Sequence, residues 1–384
     1  MAVTPTAEAP TLTEAACRVD DLRAVTAERV DPADYPHAVA VEQEVLVFAA
    51  ADLPPAAEFV RAFSEGPGVV VIRDAFPDPA VIDAATAQFE AIIAEQPSPG
   101  DHFAAAGTND RIWNALEKLA VRAPAVFCDY YANPVIAAVS HAWLGPGYQV
   151  TSQPNVVRPG GKSQVGHRDY HLGFLAPQQI ERYPRHIHRL SPVLTLQGAI
   201  AHVDMPVESG PTLYLPHSQK YEAGYLATNR PEFREYFDEH HVQLPLRKGD
   251  AAFFNPAVIH GAGTNRSADI RRFANLLQVS SAFGRAMDQV DRRRVSAAVY
   301  PALQAYERHL RTAGVDEGAV RRLVGNVVAA SAEGYPFPTN LDLDPPVGGL
   351  APPSQADVVL RALAEGWDQA TFTAALDEHT ARRA

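Results

Sequence analysis

Residues 165–174 read VGHRDYHLGF, a cluster of ionisable side chains between apolar flanks. His167 and Asp169 are two positions apart. On an extended segment such residues point to the same side, so an imidazole and a carboxylate can converge on one point. Two nitrogen donors and one carboxylate on one face of a cation leave the opposite positions open. That arrangement suits non-heme Fe(II) that must take both a cosubstrate and dioxygen. The spacing alone is weak, because 14 histidines and 45 acidic residues give about one or two such triplets by composition. A second one is present, His202-Val203-Asp204, inside an apolar strand pattern. An isolated triplet of this kind is more often a histidine satisfied by its neighbours.

The downstream stretch GDAAFFNPAVIHGAGTNRSADIRRFANLLQ separates the two. A Gly-Asp turn leads into an apolar strand that ends on a lone histidine, His260. Arg271 and Arg272 then open the next strand. A histidine near a strand end can complete a ligand set. An arginine on the neighbouring antiparallel strand can hold a carboxylate through its planar fork. A metal-chelating 2-oxo acid with a distal carboxylate needs both parts. Strand alternation lets only one of the two arginines face inward and leaves open which.

These residues need a scaffold. After Gly145 the chain runs in short β-branched or alternating segments punctuated by Gly, Pro and Asn, which suggests a sandwich or barrel. Before it, GPGVVVIRDAF reads as a strand, and helices are expected from Pro79, over DRIWNALEKLAVRA, and over PAVFCDYYANPVIAAVSHAWLG with a break at Asn133-Pro134. From about residue 286 the pattern is helical again, interrupted by the Pro-rich YPFPTNLDLDPPVGGLAPP. The division expected is a partly irregular arm over 1–55, a mainly β core with embedded helices over 56–285, and a helical extension over 286–384 packed on that core.

With 384 residues, 47% of them hydrophobic, the chain can bury a large core. A net charge of -12 disfavours a phosphate-backbone partner. DRRR at 291–294 reads as a solvated helix face. Cys17 and Cys128 are the only cysteines, which argues against a disulfide framework or a thiolate zinc site and for a reducing cytoplasm. The N-terminus lacks the basic and apolar regions of a secretory signal, and no run is long enough to span a membrane. A soluble cytoplasmic protein acting on a small molecule is expected, with no nucleic acid or membrane partner. The outer helices would shape the pocket or a homo-oligomer interface.

HRDYH, ESGPTLYLPHS and KGDAAFFNPAVIHGAGTNRSADIRR together resemble the phytanoyl-CoA dioxygenase family of Fe(II)- and 2-oxoglutarate-dependent oxygenases, over roughly residues 148–282. The resemblance implies a double-stranded β-helix, the jelly roll of cupin-like proteins. It implies His167, Asp169 and His260 as metal ligands, with Fe(II), 2-oxoglutarate and O2 as cofactor and cosubstrates. The family's arginine for the distal carboxylate lies eleven residues after the second histidine, which favours Arg271 over Arg272. A serine common two residues after that histidine is Ala262 here, and the family's Pro-Gly-Ser-His turn appears as LPHS. Related halogenases replace the carboxylate by a small residue; Asp169 argues instead for oxygen insertion or another hydrogen-abstraction outcome, of which hydroxylation is the expected one. Desaturation, cyclisation or epimerisation by the same chemistry, and a metal-binding jelly roll without oxygenase turnover, are the alternatives.

Gln153 shares a strand face with Asn155 and is a candidate cosubstrate contact. Gln164, Tyr170 and His171 flank the ligands and are candidates for the substrate mouth, against a supporting bond to a ligand. RHIHR at 185–189 offers a second His-x-His pair, but Pro184 suggests a loop and no suitably spaced glutamate follows. GGKS at 160–163 is not a phosphate loop, since the required first glycine is Val156.

Overall fold

A computed structural model describes residues 10–96 and 109–383. Its strands are β1 (Ala40–Glu42), β2 (Val45–Ala49), β3 (Val69–Arg73), β4 (Asn109–Arg111), β5 (Gln149–Val157), β6 (Thr195–Ala201), β7 (Leu213–Leu215), β8 (Val242–Gln243), β9 (Ala251–Phe254), β10 (Ile259–Gly261) and β11 (Arg272–Ser280). The large sheet has the order β1-β2-β3-β9-β6-β11-β5-β4, and the small one β10-β7-β8. The segment at His167 bridges to His260 and so lies on the free side of β10. From β5 onward the chain passes back and forth between the large sheet and the small one, with β7 and β8 paired as successive strands of the small sheet. That alternation is the winding of a double-stranded β-helix.

β11 is the axis of the large sheet. Its nine residues pair antiparallel with β5 on one side, and Ala274 to Ser280 pair with β6 on the other. Both faces of this sheet are covered. Leu196, Ile200, Phe273, Leu277 and Val279 pack with the helices Pro79–Glu95, Ala115–Arg122, Pro124–Tyr131 and Arg292–Thr312 in the main core. A smaller cluster that includes Met205, Tyr214, Leu246, Phe254 and Ala274 lies on the inner side. Burial on both faces explains why neither β6 nor β11 shows a strict polar–apolar alternation.

The chain before residue 56 is less loose than its composition suggests. A helix spans Val19–Thr26, and β1 and β2 form the edge of the large sheet, β2 running parallel to β3. Gln43 and Glu44 between them both have positive φ, 51° and 67°. This is the geometry of a two-residue hairpin turn whose twist matches the strands. Two local readings also change. DRIW forms β4 and a turn, the helix starting only at Ala115; RHIHR is a short helix, Arg185–Leu190, starting directly after Pro184. Pro fits the start of a helix because its missing N–H would be unpaired there anyway. The break at Asn133-Pro134 is present, with Asn133 Oδ1 accepting from Val135 N and Ile136 N to cap the second helix.

The Gly-Asp turn before β9 has a clear cause. Gly249 has φ +90°, and a side chain there would collide with the carbonyl of Phe76. Asp250, fully buried, accepts from Arg73 Nη1 at 2.8 Å, Asp74 N at 2.9 Å and Arg247 N at 2.9 Å. Among the described residues, no helix is long and apolar enough to cross a membrane.

Candidate active site

His167 and His260 face each other as a hydrogen-bonded antiparallel pair. His167 N donates to His260 O at 2.9 Å and His260 N to His167 O at 3.0 Å. Side chains of such a pair leave the sheet on the same side. The two rings accordingly lie 4.6 Å apart, and Phe254 packs on His260 at the same distance. In each ring Nδ1 is 2.8 Å from a backbone carbonyl two residues earlier, Val165 and Val258. A carbonyl can only accept, so both Nδ1 atoms carry the proton and both Nε2 atoms are left to face a common point.

Asp169 closes the cluster. Its Oδ1 is 3.6 Å from His167 Nε2 and its Oδ2 is 3.4 Å from His260 Nε2. All three donors lie within 4.8 Å of one another. Burial alone would raise the Asp169 carboxyl. The two imidazoles and a bond from Gln197 outweigh that and hold it well below the usual carboxylate range. Burial lowers His167, with the Asp169 charge opposing, so the ring is neutral near pH 7. A deprotonated carboxylate and a neutral imidazole are the states a metal ligand needs.

This cluster forms one end of a cavity of about 300 Å³. The large-sheet wall follows the period of two. On β11, Arg272, Ala274, Leu276 and Gln278 line the cavity, while Phe273, Leu277 and Val279 face the helices. Arg271 therefore falls on the helix side. It is half-exposed and pairs with Glu90 at 3.1 Å, outside the cavity. The spacing that favoured it is off by one strand position. Arg272 is buried, and among the described residues it has no acidic partner; its Nη1 donates to Gly263 O at 3.1 Å. Burial and the nearby Arg111 charge lower its guanidinium to about 10, which leaves it charged at neutral pH. A buried cation without a carboxylate is costly unless an anion joins it.

The remaining candidates divide. Gln153 and Gln164 line the cavity; Gln153 Nε2 donates to Asp288 at 2.8 Å, and Gln164 Oε1 accepts from Ala262 N at 2.9 Å. Tyr170 and His171 do not line it. Both have positive φ, 68° and 44°, so the chain turns away immediately after Asp169. Tyr170 OH donates to Gln278 Oε1 at 2.7 Å, and His171 Nδ1 lies 3.1 Å from Ser191 Oγ. They brace the turn that carries Asp169. His202 has both ring nitrogens occupied, by Thr86 Oγ1 at 2.7 Å and Tyr130 OH at 3.0 Å.

Sequence reasoning overlooked Gln197 and Gln278, which oppose each other across β6 and β11. Gln197 Nε2 donates to Asp169 Oδ2 at 2.6 Å. The signal was there for Gln197, the lone amide of β6; β11 carries a second amide, Asn275, so Gln278 did not stand out. Arg111, on β4 opposite Asn155 of β5, also lines the cavity, stacked over Trp113 at 5.3 Å.

The family model for phytanoyl-CoA dioxygenase matches residues 64–273, more than half of the 384 residues. The chain belongs to that family. Its members are Fe(II)- and 2-oxoglutarate-dependent oxygenases, and the donor set fits: two imidazole nitrogens and one carboxylate converge, while Cys17 and Cys128 are buried and absent from the cluster. A curated relative is "Dioxygenase cdmD" of Talaromyces verruculosus, 28% identical over 116 residues, which is 30% of this chain and only 34% of the relative. Similar solved structures include the non-heme alpha ketoglutarate dependent epimerase SnoN from nogalamycin biosynthesis, at 20% identity, with 59% of this chain and 83% of that chain covered and a TM-score of 0.42. HygX from Streptomyces hygroscopicus, with nickel and 2-oxoglutarate bound, matches at 16% identity over 59% of this chain and 87% of its own, with a TM-score of 0.44.

Proposed function

We propose that the chain is an Fe(II)- and 2-oxoglutarate-dependent hydroxylase of an unactivated C–H bond in a small molecule, releasing succinate and CO2. One observation carries this reading. Three convergent metal-ligating donors and one buried guanidinium without an acidic partner among the described residues share a single cavity.

His167 Nε2, His260 Nε2 and an oxygen of Asp169 would hold the metal. Iron(II) bound there supplies the activation of dioxygen coupled to oxidative decarboxylation of the 2-oxo acid. The protein positions the reactants. Arg272 takes the distal carboxylate of 2-oxoglutarate through its fork, and the Gly263 carbonyl fixes the guanidinium in place. Gln153 stands on the adjacent strand between Arg272 and the metal end, where it can contact the cosubstrate. Met205, Leu246, Phe254, Leu276 and Met287 keep the reacting carbon in an apolar setting and exclude water. Asp169 occupies the position that a halide needs, which favours hydroxylation.

The test is anaerobic reconstitution with Fe(II) and 2-oxoglutarate, then admission of oxygen. Succinate should form in a metal-dependent manner and rise when the right small molecule is added. No succinate above a metal-free control would refute the reading.

A further inference from the structure

We infer that Gln197 is a positioning residue for the metal site: its amide fixes the Asp169 carboxylate, and its unpaired carbonyl presents an acceptor to whatever fills the cavity. This rests on the metal-site reading above.

Gln197 sits on β6, a strand buried along its whole length, and is itself 2% exposed. Its neighbours on the chain, Leu196 and Gly198, cannot hydrogen-bond through side chains. Its Nε2 lies 2.6 Å from Asp169 Oδ2. An ionised carboxylate only accepts, so the NH2 end of the amide must face it and the amide cannot be turned over. Oε1 is thereby forced to the other side, where it is buried and has no partner within the described residues. Leaving a buried acceptor unpaired is unfavourable. A chain that only needed to fill this space would do better with Leu or Met, which makes a positioning role the economical explanation of the amide.

The geometry shows what is positioned. With Oδ2 engaged by Gln197, the carboxylate plane is fixed between the two imidazoles, and Oδ1 faces His167 Nε2. The opposing residue across the ladder, Gln278, holds Tyr170 OH at 2.7 Å. Two amides on neighbouring strands therefore anchor two consecutive residues at the point where the backbone turns with positive φ. Arg272 lies six positions from Gln278 along β11, about 20 Å of strand, so the free carbonyl of Gln197 stands at the end away from the cosubstrate anchor. An O–H or N–H on the bound substrate has its acceptor there.

The experiment uses Co(II) as probe on the full chain, read by the visible absorption of the bound ion, with melting of the metal-free protein measured in parallel. The variants are Gln197→Leu, Gln197→Met and, as control, Asn155→Leu, which removes another buried cavity amide with an unpaired carbonyl far from Asp169. Gln197→Leu and Gln197→Met should weaken Co(II) binding about 10- to 100-fold and alter the Co(II) spectrum. Without metal both variants should still unfold cooperatively, the loss of the bond to the Asp169 carboxylate being set against the removal of an unpaired acceptor. Asn155→Leu should leave Co(II) affinity within about threefold. Co(II) affinity and spectrum equal to wild type in both Gln197 variants would overturn the inference, as would weakening matched by Asn155→Leu. Failure of the wild-type chain to bind Co(II) at all would instead overturn the metal-site reading.

Discussion

The chain contains the same triplet twice, His167-Arg168-Asp169 and His202-Val203-Asp204, and folds them to opposite ends. In the first, each residue that could ligate is left one open lone pair facing a common point, because Nδ1 of His167 is tied to its own backbone. In the second, the imidazole is filled from both sides by Thr86 and Tyr130 and stacked on Phe273 at 5.0 Å, while Asp204 turns away to accept from Lys248 N. Sheet face decides between them. Gln197 and Ala199 on β6 face the cavity, whereas Leu196 and Ile200 face the helices, and His202 continues the helix-facing series. The two arginines repeat the lesson one strand away: adjacent residues of one type, one in the cavity and one on a surface glutamate.

The comparison can be broken most sharply at the ligands. His260→Ala should reduce Fe(II) or Co(II) affinity by more than the roughly 10- to 100-fold typical of residues that only support a ligand, and abolish 2-oxoglutarate decarboxylation. His202→Ala should retain the metal while losing about 2–4 kcal/mol of stability from a buried aromatic and two hydrogen bonds. Metal titration and chemical denaturation of the two variants provide the check. Equal metal loss in both would erase the distinction between the triplets.

The arginine pair sharpens it next. Arg272→Leu should raise the 2-oxoglutarate Kd about 100-fold, the worth of a desolvated, charge-assisted pair. Arg271→Leu should stay within about twofold, since exposed ion pairs contribute little. Calorimetric titration of the metal-loaded protein with 2-oxoglutarate measures both. The reverse order would place the cosubstrate outside the cavity described.

Much of this was legible beforehand, and the gaps have physical causes. The β-rich core between helical flanks follows from texture, and the family resemblance pointed to the three residues, His167, Asp169 and His260, whose donors the fold brings within 4.8 Å of one another. The choice between Arg271 and Arg272 does not, because β11 is buried on both faces and its sequence carries no polar–apolar alternation to fix the phase. Tyr170 and His171 looked like mouth residues by proximity in sequence. Their positive φ reverses the chain after Asp169, and no local pattern predicts that for two non-glycine residues.

A smaller effect separates the triplets by pH. Burial lowers His202 to about 3, and its other perturbers are minor. Above about pH 6.5 the ring is neutral in folded and unfolded chains alike. As pH falls from there toward about 3, only the unfolded chain gains the proton, so stability is lost through that window, by at most about 1.4 kcal/mol per pH unit. Urea midpoints of the metal-free protein should show this slope, and His202→Gln should flatten it by up to one proton. An unchanged slope would mean His202 is not the buried neutral group described. The smallest effect is expected at Tyr170→Phe, about 1 kcal/mol of stability from one buried bond and no more than a few-fold change in decarboxylation. A complete loss of activity there would return Tyr170 to the reacting centre.

The most direct measurement is a crystal structure of the protein soaked anaerobically with Fe(II) and 2-oxoglutarate. The account predicts one ion bound by His167, Asp169 and His260, with the far carboxylate of the diacid on Arg272. An ion bound at other residues, or a diacid that leaves Arg272 untouched, would contradict it.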